Sequence, residues 1–237
     1  MTPSCLSRRL SIIVPVLDEG ERISAALEAL SPLRARGAEI VIVDGGSTDA
    51  TLEGAEGAAD LVIVAPRGRA SQMNAGALQA RGETLLFLHC DTQLPQHADR
   101  LVLEALARSG RVWGRFDVEL AGRPRMLRVI AALMNFRSRL TGIATGDQAI
   151  FVTREAFTKV GHYPDIPLME DVALSKALKR LTPPAAIKER AIASGRRFES
   201  KGVLRLILLM WTLRFAYWAG ADPGLLAKRY GYAPRSP

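Results

Sequence analysis

Short apolar runs alternate with helical patterns along the first ninety residues. The runs are LSIIVPV at 10–16, EIVIVD at 39–44, LVIVA at 61–65 and ETLLFLH at 83–89. Continuous apolar runs of this length are typical of parallel strands that are covered on both faces. Helical stretches follow two of these runs, at 19–36 and 69–81. The pattern predicts an α/β fold with a doubly wound, mostly parallel sheet flanked by helices.

The alternation of apolar runs and helical patterns changes after Gly110. The alternating run RVWGRFDVEL at 111–120 predicts an antiparallel strand, and helical patterns follow at 125–140 and 169–180. The segment GDQAIFVT at 146–153 lies between these two helices. We find no internal repeat or low-complexity linker, so the sequence predicts a single domain.

The charge balance favours anionic partners. The chain has 32 Lys and Arg against 24 Asp and Glu, a formal charge of +8. Phosphates, phospholipid surfaces and nucleic acid all fit that charge. The arginines are scattered and no aromatic-rich platform or zinc-ligand spacing is present, so we expect no nucleic-acid partner. Cys5 and Cys90 lie far apart in the chain, which predicts no disulfide framework and favours the cytosol.

Two apolar segments raise the question of a membrane. The first, at 10–17, contains Pro15 and leads into acidic residues, so we predict no signal peptide. The second, at 203–220, is interrupted by Arg205 and Arg214. Its uncharged part is too short to cross a bilayer, so we predict a helix and a cytoplasmic protein. Peripheral contact of this helix with the inner face of the membrane stays open.

Polar clusters follow three of the predicted strands. They are Asp18-Glu19, the segment Asp44–Asp49, and His89 with Asp91. In open α/β sheets, ligands bind beyond the carboxyl ends of the strands. Each cluster alone is explained equally well as a turn or a helix cap. Three clusters at one edge of the sheet favour a binding site.

The chemistry of these clusters suits a nucleotide. Asp44 can accept a hydrogen bond from a base N–H, and the glycines after it let the backbone come close. Arg67 and Arg69 can reach a diphosphate, although either can equally be a solvated loop residue. Gln72 and Asn74 lie on the following helix and face either the pocket or solvent. No G-x-G-x-x-G motif follows the first strand, so this is not a dinucleotide-binding fingerprint.

Asp91 is the candidate metal ligand. Mg²⁺ and Mn²⁺ prefer hard oxygen ligands, and a nucleotide diphosphate supplies several of them itself. A single protein carboxylate can therefore anchor the ion. His89 is either a second ligand, a hydrogen-bonding helper or an ordinary core histidine.

The order of the motifs resembles that of family 2 glycosyltransferases of the GT-A fold. The matching segments are SIIVPVLDE, IVIVDGGSTDAT, RASQMNAGA, LLFLHCDTQLP, GDQAIFV and MEDVALSKALKR. They span about residues 10–181. The resemblance implies sugar transfer from a nucleotide-diphosphate sugar, usually with inversion and with Mg²⁺ or Mn²⁺.

The resemblance also implies roles for individual residues. Pro15, Leu17 and Glu19 flank the nucleotide, Asp44 contacts the base, Arg69 lies at the diphosphate, Asn74 belongs to the donor site, and Asp91 matches the second Asp of the Asp-x-Asp metal motif. The chain departs from that motif at His89, where the first Asp is expected. This variant resembles a bacterial subgroup that includes enzymes of arsenosugar biosynthesis.

The Glu170-Asp171 pair resembles the acidic pair of the family. Its Asp takes the proton from the acceptor hydroxyl, so Asp171 is the predicted general base, with Glu170 beside it. Asp147 and Gln148 are predicted to position the donor sugar or the acceptor. The alternative for the pair is a helix N-terminus stabilised by its dipole.

The resemblance implies three parts in the chain. A nucleotide-binding half spans about 10–110, an acceptor and catalytic half spans 111–195, and a helical tail spans 200–237. We predict a polar, basic loop at 194–202. Arg196 or Arg197 in this loop either closes over the diphosphate, as basic residues do in related enzymes, or is an ordinary surface residue. The tail helix places Trp211, Arg214, Phe215 and Trp218 on one face. That face suits a membrane surface, the acceptor groove, burial on the domain or a homodimer contact.

The leading hypothesis is an inverting, metal-dependent glycosyltransferase. It moves a sugar from a nucleotide-diphosphate donor, UDP-sugar above others, to a small or lipid-linked hydroxyl acceptor. A nucleotidyltransferase is the first alternative, but it needs a Gly-rich, basic loop where this chain has 16–20, VLDEG. A noncatalytic nucleotide-sugar binding protein is the second, and the acidic residues at Asp91 and Asp171 argue against it.

Overall fold

Eight strands form one sheet in the computed structural model, which describes residues 10–232. The strands are β1 (Leu10–Val16), β2 (Glu39–Asp44), β3 (Leu61–Val64), β4 (Thr84–Phe87), β5 (Thr92–Gln93), β6 (Trp113–Ala121), β7 (Phe151–Thr153) and β8 (Ala185–Ser194). Their order across the sheet is β3-β2-β1-β4-β7-β6-β8-β5.

Helices cover both faces of this sheet. They are α1 (Gly20–Ala35), α2 (Thr51–Ala55), α3 (Arg69–Gln79), α4 (Ala98–Ser109), α5 (Met126–Thr141), α6 (Arg154–Lys159), α7 (Glu170–Leu178), α8 (Arg196–Lys201), α9 (Val203–Trp218) and α10 (Pro223–Tyr230). A 3₁₀ turn at Gly146–Gln148 precedes β7. The four predicted helices are confirmed as α1, α3, α5 and α7, with shifts of a few residues at their ends.

The first half of the sheet is parallel, as predicted. β1 pairs with β2 and β4, and β2 pairs with β3, all in parallel register. Ile12 packs into the core on one face and Ile13 into the core on the other, and both are fully buried. A Cβ on Gly76 would lie 2.5 Å from Cγ2 of Ile13. This glycine therefore allows α3 to lie close against β1.

The second half of the sheet is mixed. β7 is antiparallel to both β4 and β6, whereas β8 is parallel to β6 and antiparallel to β5. The strand predicted at 111–120 is β6, and it is antiparallel to only one of its two neighbours. β8 was not predicted, because the exposed residues 188–190 interrupt its apolar pattern. At that point the register between β6 and β8 also shifts.

Two predicted boundaries were wrong. The strand predicted at 83–89 ends at Phe87, so His89 and Asp91 lie in the loop beyond it. The loop predicted at 194–202 contains the short helix α8, because Phe198 is buried against β6, β8 and α5. The predicted helix at 203–220 is confirmed as α9. Within residues 10–232, no helix has the length and apolarity needed to cross a membrane.

Candidate active site

A cavity of about 570 Å³ opens at the carboxyl ends of the central strands. Pro15 and Glu19 reach it from the end of β1, and Asp91 reaches it from the loop after β4. The start of α7 and the inner face of α9 form the other side. The sheet topology therefore brings distant segments of the chain to one site, as the strand-end argument predicts.

The cavity collects most of the predicted site residues. The lining includes Pro15, Glu19, Arg69, His89, Asp91, Asp147, Glu170 and Asp171. Four other predicted residues do not line it, namely Leu17, Asp44, Asn74 and Gln148.

Asp44 holds the turn that follows β2. Its side chain is 1% exposed, and its Oδ2 accepts hydrogen bonds from the backbone N–H groups of Gly46 and Ser47, each at 2.9 Å. Nearby, Nε2 of Gln72 donates to the carbonyl oxygens of Val16 and Val43, each at 2.8 Å. Both side chains fix the ends of β1 and β2 beside the cavity.

Asn74 and Gln148 support loops behind the cavity. Nδ2 of Asn74 donates to the carbonyl of Tyr163 at 2.9 Å, and its Oδ1 accepts from the N–H of the same residue at 3.0 Å. Gln148 is fully buried, and its Oε1 accepts from the N–H of Thr145 at 3.3 Å. The structure gives these amides scaffold contacts within the protein.

His89 lies against the 3₁₀ turn and faces Asp147. Its Nδ1 is 3.4 Å from Oδ1 of Asp147, and its side chain is 13% exposed. A Cβ on Gly146 would overlap the His89 ring, so only glycine allows this packing. The histidine that replaces an expected aspartate therefore orients a neighbouring carboxylate.

Asp147 stays ionised because of its cationic neighbours. Burial raises the pKa of this carboxyl, but the hydrogen bond from His89 and the charges of His89, Arg69 and Arg214 outweigh burial and lower the pKa below its ordinary value. Burial lowers the pKa of Arg69, whereas Glu170 and Asp147 raise it, and the net pKa is raised. The cavity thus holds an ionised carboxylate beside a firmly charged guanidinium.

Glu170 and Asp171 begin α7 but differ in environment. Glu170 is 5% exposed, and burial first and the charge of Asp171 second raise its pKa to about 7, with Arg69 opposing. Asp171 is half-buried, and its Oδ2 accepts from the N–H of Gly146 at 2.9 Å. The backbone conformation of Met169 before them is left-handed, with φ of 69°. The adjacent carboxyls therefore lie in different environments, which is typical of pairs with separate roles.

The raised pKa of Glu170 makes stability depend on pH. Between pH 4.5, the ordinary pKa, and about 7, the folded chain binds a proton here that the unfolded chain has lost. The contribution of Glu170 to the free energy of unfolding therefore falls as the pH rises through that window. We expect Glu170→Gln to raise the free energy of unfolding at pH 8 by on the order of 2–3 kcal/mol, with little change at pH 4.5. Urea unfolding at both pH values measures the difference, and a difference independent of pH would contradict the assignment.

Arg137 lies near Asp171 and was not predicted from the sequence. Nε and Nη2 of Arg137 are buried with no hydrogen-bond partner. Burial and the charge of Arg214 lower the pKa of Arg137 to about 10, whereas the charge of Asp171 acts to raise it. Arg214 lines the cavity, whereas Trp211, Phe215 and Trp218 of the same predicted face are exposed and do not line it. Sequence spacing gives no signal for Arg137, because α5 and α9 meet only in the folded chain.

Asp91 is the cavity residue best suited to a metal ion. Its side chain is exposed and lines the cavity. Across residues 10–232, no group of three or more His, Cys, Asp or Glu side chains is arranged to hold a metal. The donor set fits a hard cation that takes its other oxygens from water and a bound diphosphate. It does not fit a cation enclosed by protein ligands alone.

Sequence comparison relates the chain to a known family. A sequence model described as "Glycosyl transferase family 2" matches residues 11–161, which is more than half of the chain. The chain belongs to glycosyl transferase family 2. The match includes the cavity residues from Pro15 to Asp147, whereas Glu170 and Asp171 lie beyond its end at residue 161.

One curated relative is a dolichyl-phosphate beta-glucosyltransferase from Drosophila melanogaster. The two are 31% identical over 139 residues, which is 51% of this chain and 42% of the relative. The chain thus spans less than half the length of that relative.

Solved structures show that the family 2 chain has the GT-A fold. S. aureus TarS residues 1–349, in complex with UDP, has a TM-score of 0.63 at 20% identity, over 78% of this chain and 60% of TarS. The mannosyltransferase PcManGT from Pyrobaculum calidifontis, with GDP-Man and Mn²⁺, has a TM-score of 0.62 at 22% identity, over 94% and 69%. Glucosyl-3-phosphoglycerate synthase from Mycobacterium tuberculosis, with Mn²⁺, UDP and its product, has a TM-score of 0.59 at 17% identity, over 99% and 86%.

Proposed function

We propose that this chain is an inverting, metal-dependent glycosyltransferase. It transfers a sugar from a nucleotide-diphosphate donor, a UDP-sugar above others, to an acceptor hydroxyl. The observation that carries the proposal is one cavity that holds an exposed carboxylate, Asp91, and a backbone-anchored carboxylate, Asp171. Family 2 membership supports the reaction class.

The donor lies along the strand-end side of the cavity. We place the base beside the turn held by Asp44, next to Pro15 and Glu19, and the diphosphate near Arg69. Complexes of TarS and of the synthase with UDP support uracil as the base, whereas PcManGT binds GDP-Man. Asp147, oriented by His89, lies where it can accept hydrogen bonds from the sugar hydroxyls.

Asp171 is the general base of this mechanism. Its carboxylate takes the proton from the acceptor hydroxyl as the acceptor oxygen bonds to the anomeric carbon and the diphosphate leaves from the opposite face. The N–H of Gly146 fixes the position of Oδ2. The single displacement inverts the anomeric centre. Burial raises the pKa of Glu170 to about 7, so this neighbouring carboxyl is partly protonated near neutral pH.

The departing diphosphate needs positive charge. When bound at Asp91, Mg²⁺ or Mn²⁺ supplies charge that stabilises the leaving group. The neighbours PcManGT and the synthase, each solved with Mn²⁺, support the same use of a divalent metal here. Arg69 adds a second cation from the protein.

The acceptor and the cellular setting are also proposals. We propose a small-molecule or lipid-linked acceptor that enters beside Met134, Met210 and Arg214. The LHCDT and GDQ motifs support the subgroup of bacterial enzymes linked to arsenosugar biosynthesis. The exposed side chains of α9 support contact with the inner face of the membrane from the cytoplasm, or a homodimer.

A thermal-shift screen of nucleoside diphosphates tests the donor proposal. UDP, GDP, dTDP and ADP are compared with and without Mn²⁺. We expect UDP with Mn²⁺ to raise Tm most, by about 5 °C at a hundredfold excess over Kd. A larger shift with GDP would overturn the choice of base, equal shifts without Mn²⁺ would overturn metal dependence, and no shift with any nucleotide would overturn the site.

A further inference from the structure

Two helices expose long rows of apolar side chains. On α5 the exposed residues are Met126, Val129, Leu133, Phe136 and Leu140, between 45% and 75% exposed. On α9 they are Leu204, Leu208, Trp211, Phe215 and Trp218, between 65% and 74% exposed. We call these two rows the α5 row and the α9 row.

Each row forms one continuous stripe. Successive members are three or four residues apart, which places them on one side of a helix. The opposite sides are buried, through Leu127 on α5 and through Leu206 and Leu213 on α9. The outward side of a surface helix is normally polar, whereas the outward sides of α5 and α9 are apolar.

The two helices share one support and one cavity. Leu127 of α5 and Leu206 of α9 belong to the same buried cluster. Met134 of α5 and Met210 of α9 both line the cavity that holds Asp171. The two helices therefore contribute to the wall of the cavity through residues other than those of the rows.

The charged side chains on α5 and α9 themselves are all basic. Neither α5 nor α9 contains an Asp or Glu. Arg125, Arg128 and Arg205 are exposed beside the rows, and Lys201 lies two residues before α9. A second copy of the chain would bring like charges together on this surface, whereas an anionic lipid headgroup layer would neutralise them.

We propose that the α5 and α9 rows dock this chain onto an anionic phospholipid bilayer. Trp and Phe side chains favour the boundary between headgroups and acyl chains, and nearby Arg and Lys favour anionic headgroups. The helices lie on the surface, in agreement with the finding that neither they nor any other helix within residues 10–232 is suited to cross it. Docking requires neither donor nor turnover, so it stands or falls separately from the proposed transferase reaction.

Vesicle sedimentation tests the docking surface. The chain is mixed with vesicles of 70% phosphatidylcholine and 30% phosphatidylglycerol, or of phosphatidylcholine alone. The variant is Trp211→Ser with Phe215→Ser and Trp218→Ser. The matched control is Val64→Ser with Leu78→Ser, since these residues are 67% and 69% exposed elsewhere on the molecule.

We expect the wild type and the control to bind the anionic vesicles at least about tenfold more tightly than the triple variant, and to release in 0.5 M salt. Equal binding by the triple variant, or no binding by the wild type, would overturn the proposal. A wild-type dimer in light scattering that becomes monomeric in the triple variant, without vesicle binding, would assign the rows to a second copy.

A second measurement needs no substitution. Of the three tryptophans, Trp113 is fully buried, so Trp211 and Trp218 should dominate any fluorescence change on binding. We expect anionic vesicles to shift the emission to the blue and brominated lipids to quench it. Unchanged emission would overturn the proposal even if the triple variant failed to fold.

Discussion

Asp171→Asn is expected to lower kcat for sugar transfer by about 10²–10⁴-fold while the Kd for UDP changes by less than about twofold. The amide cannot take the proton of the acceptor hydroxyl. Its oxygen can still accept the hydrogen bond from Gly146, so the fold around the start of α7 persists. Initial rates of UDP release and calorimetric titration of UDP measure the two quantities.

Glu155→Gln is the control for Asp171→Asn. Glu155 is exposed in the first turn of α6 and does not line the cavity, so this variant should keep the wild-type kcat. Turnover by Asp171→Asn within tenfold of the wild type would contradict its role as general base. An equal loss in Glu155→Gln would show that the effect is not specific to the site.

Asp91→Ala is expected to remove the part of UDP affinity that depends on Mn²⁺. In the wild type, Mn²⁺ should tighten UDP binding by at least about tenfold, or about 1.4 kcal/mol, because Asp91 would hold a cation whose charge stabilises the diphosphate. In the variant, Kd should be the same with and without the metal. Calorimetric titration of UDP with Mn²⁺ and with a chelator measures both values.

Glu21→Ala is the control for Asp91→Ala. Glu21 is an exposed carboxylate in the first turn of α1 and lies outside the cavity lining. Glu21→Ala should leave the tightening of UDP binding by Mn²⁺ unchanged. This control therefore separates the loss of a specific metal ligand from the general loss of a negative charge. If Mn²⁺ tightened UDP binding as much in Asp91→Ala as in the wild type, the role of Asp91 as metal ligand would be contradicted.

The parallel half of the sheet was predictable because its signals are local. The runs that became β1 and β2 are continuously apolar, since helices cover both of their faces. β8 was not predictable in the same way. Its residues 188–190 are exposed, and it is held by pairing with β6, more than sixty residues earlier. Sequence patterns report burial better than they report distant pairing.

The site shows the same division. Glu19 and Asp91, in the loops that follow β1 and β4, line one cavity because strand ends share one edge of the sheet. The direction in which the Asn74 side chain points depends on the rotation of its helix, which sequence spacing does not define. In the structure its amide is held by Tyr163. Arg137 approaches Asp171 only after α5 packs on the sheet, so no local pattern could reveal it.

The proposed reaction requires carboxylates from separate segments to act on one bound nucleotide. A crystal structure of the chain with UDP and Mn²⁺ tests this most directly, with the anomalous signal of manganese locating the ion. We expect uracil beside the Asp44 turn, manganese between Asp91 and the diphosphate, and Asp171 facing the space beyond the β-phosphate. Nucleotide bound outside this cavity, or manganese bound away from Asp91, would contradict the account.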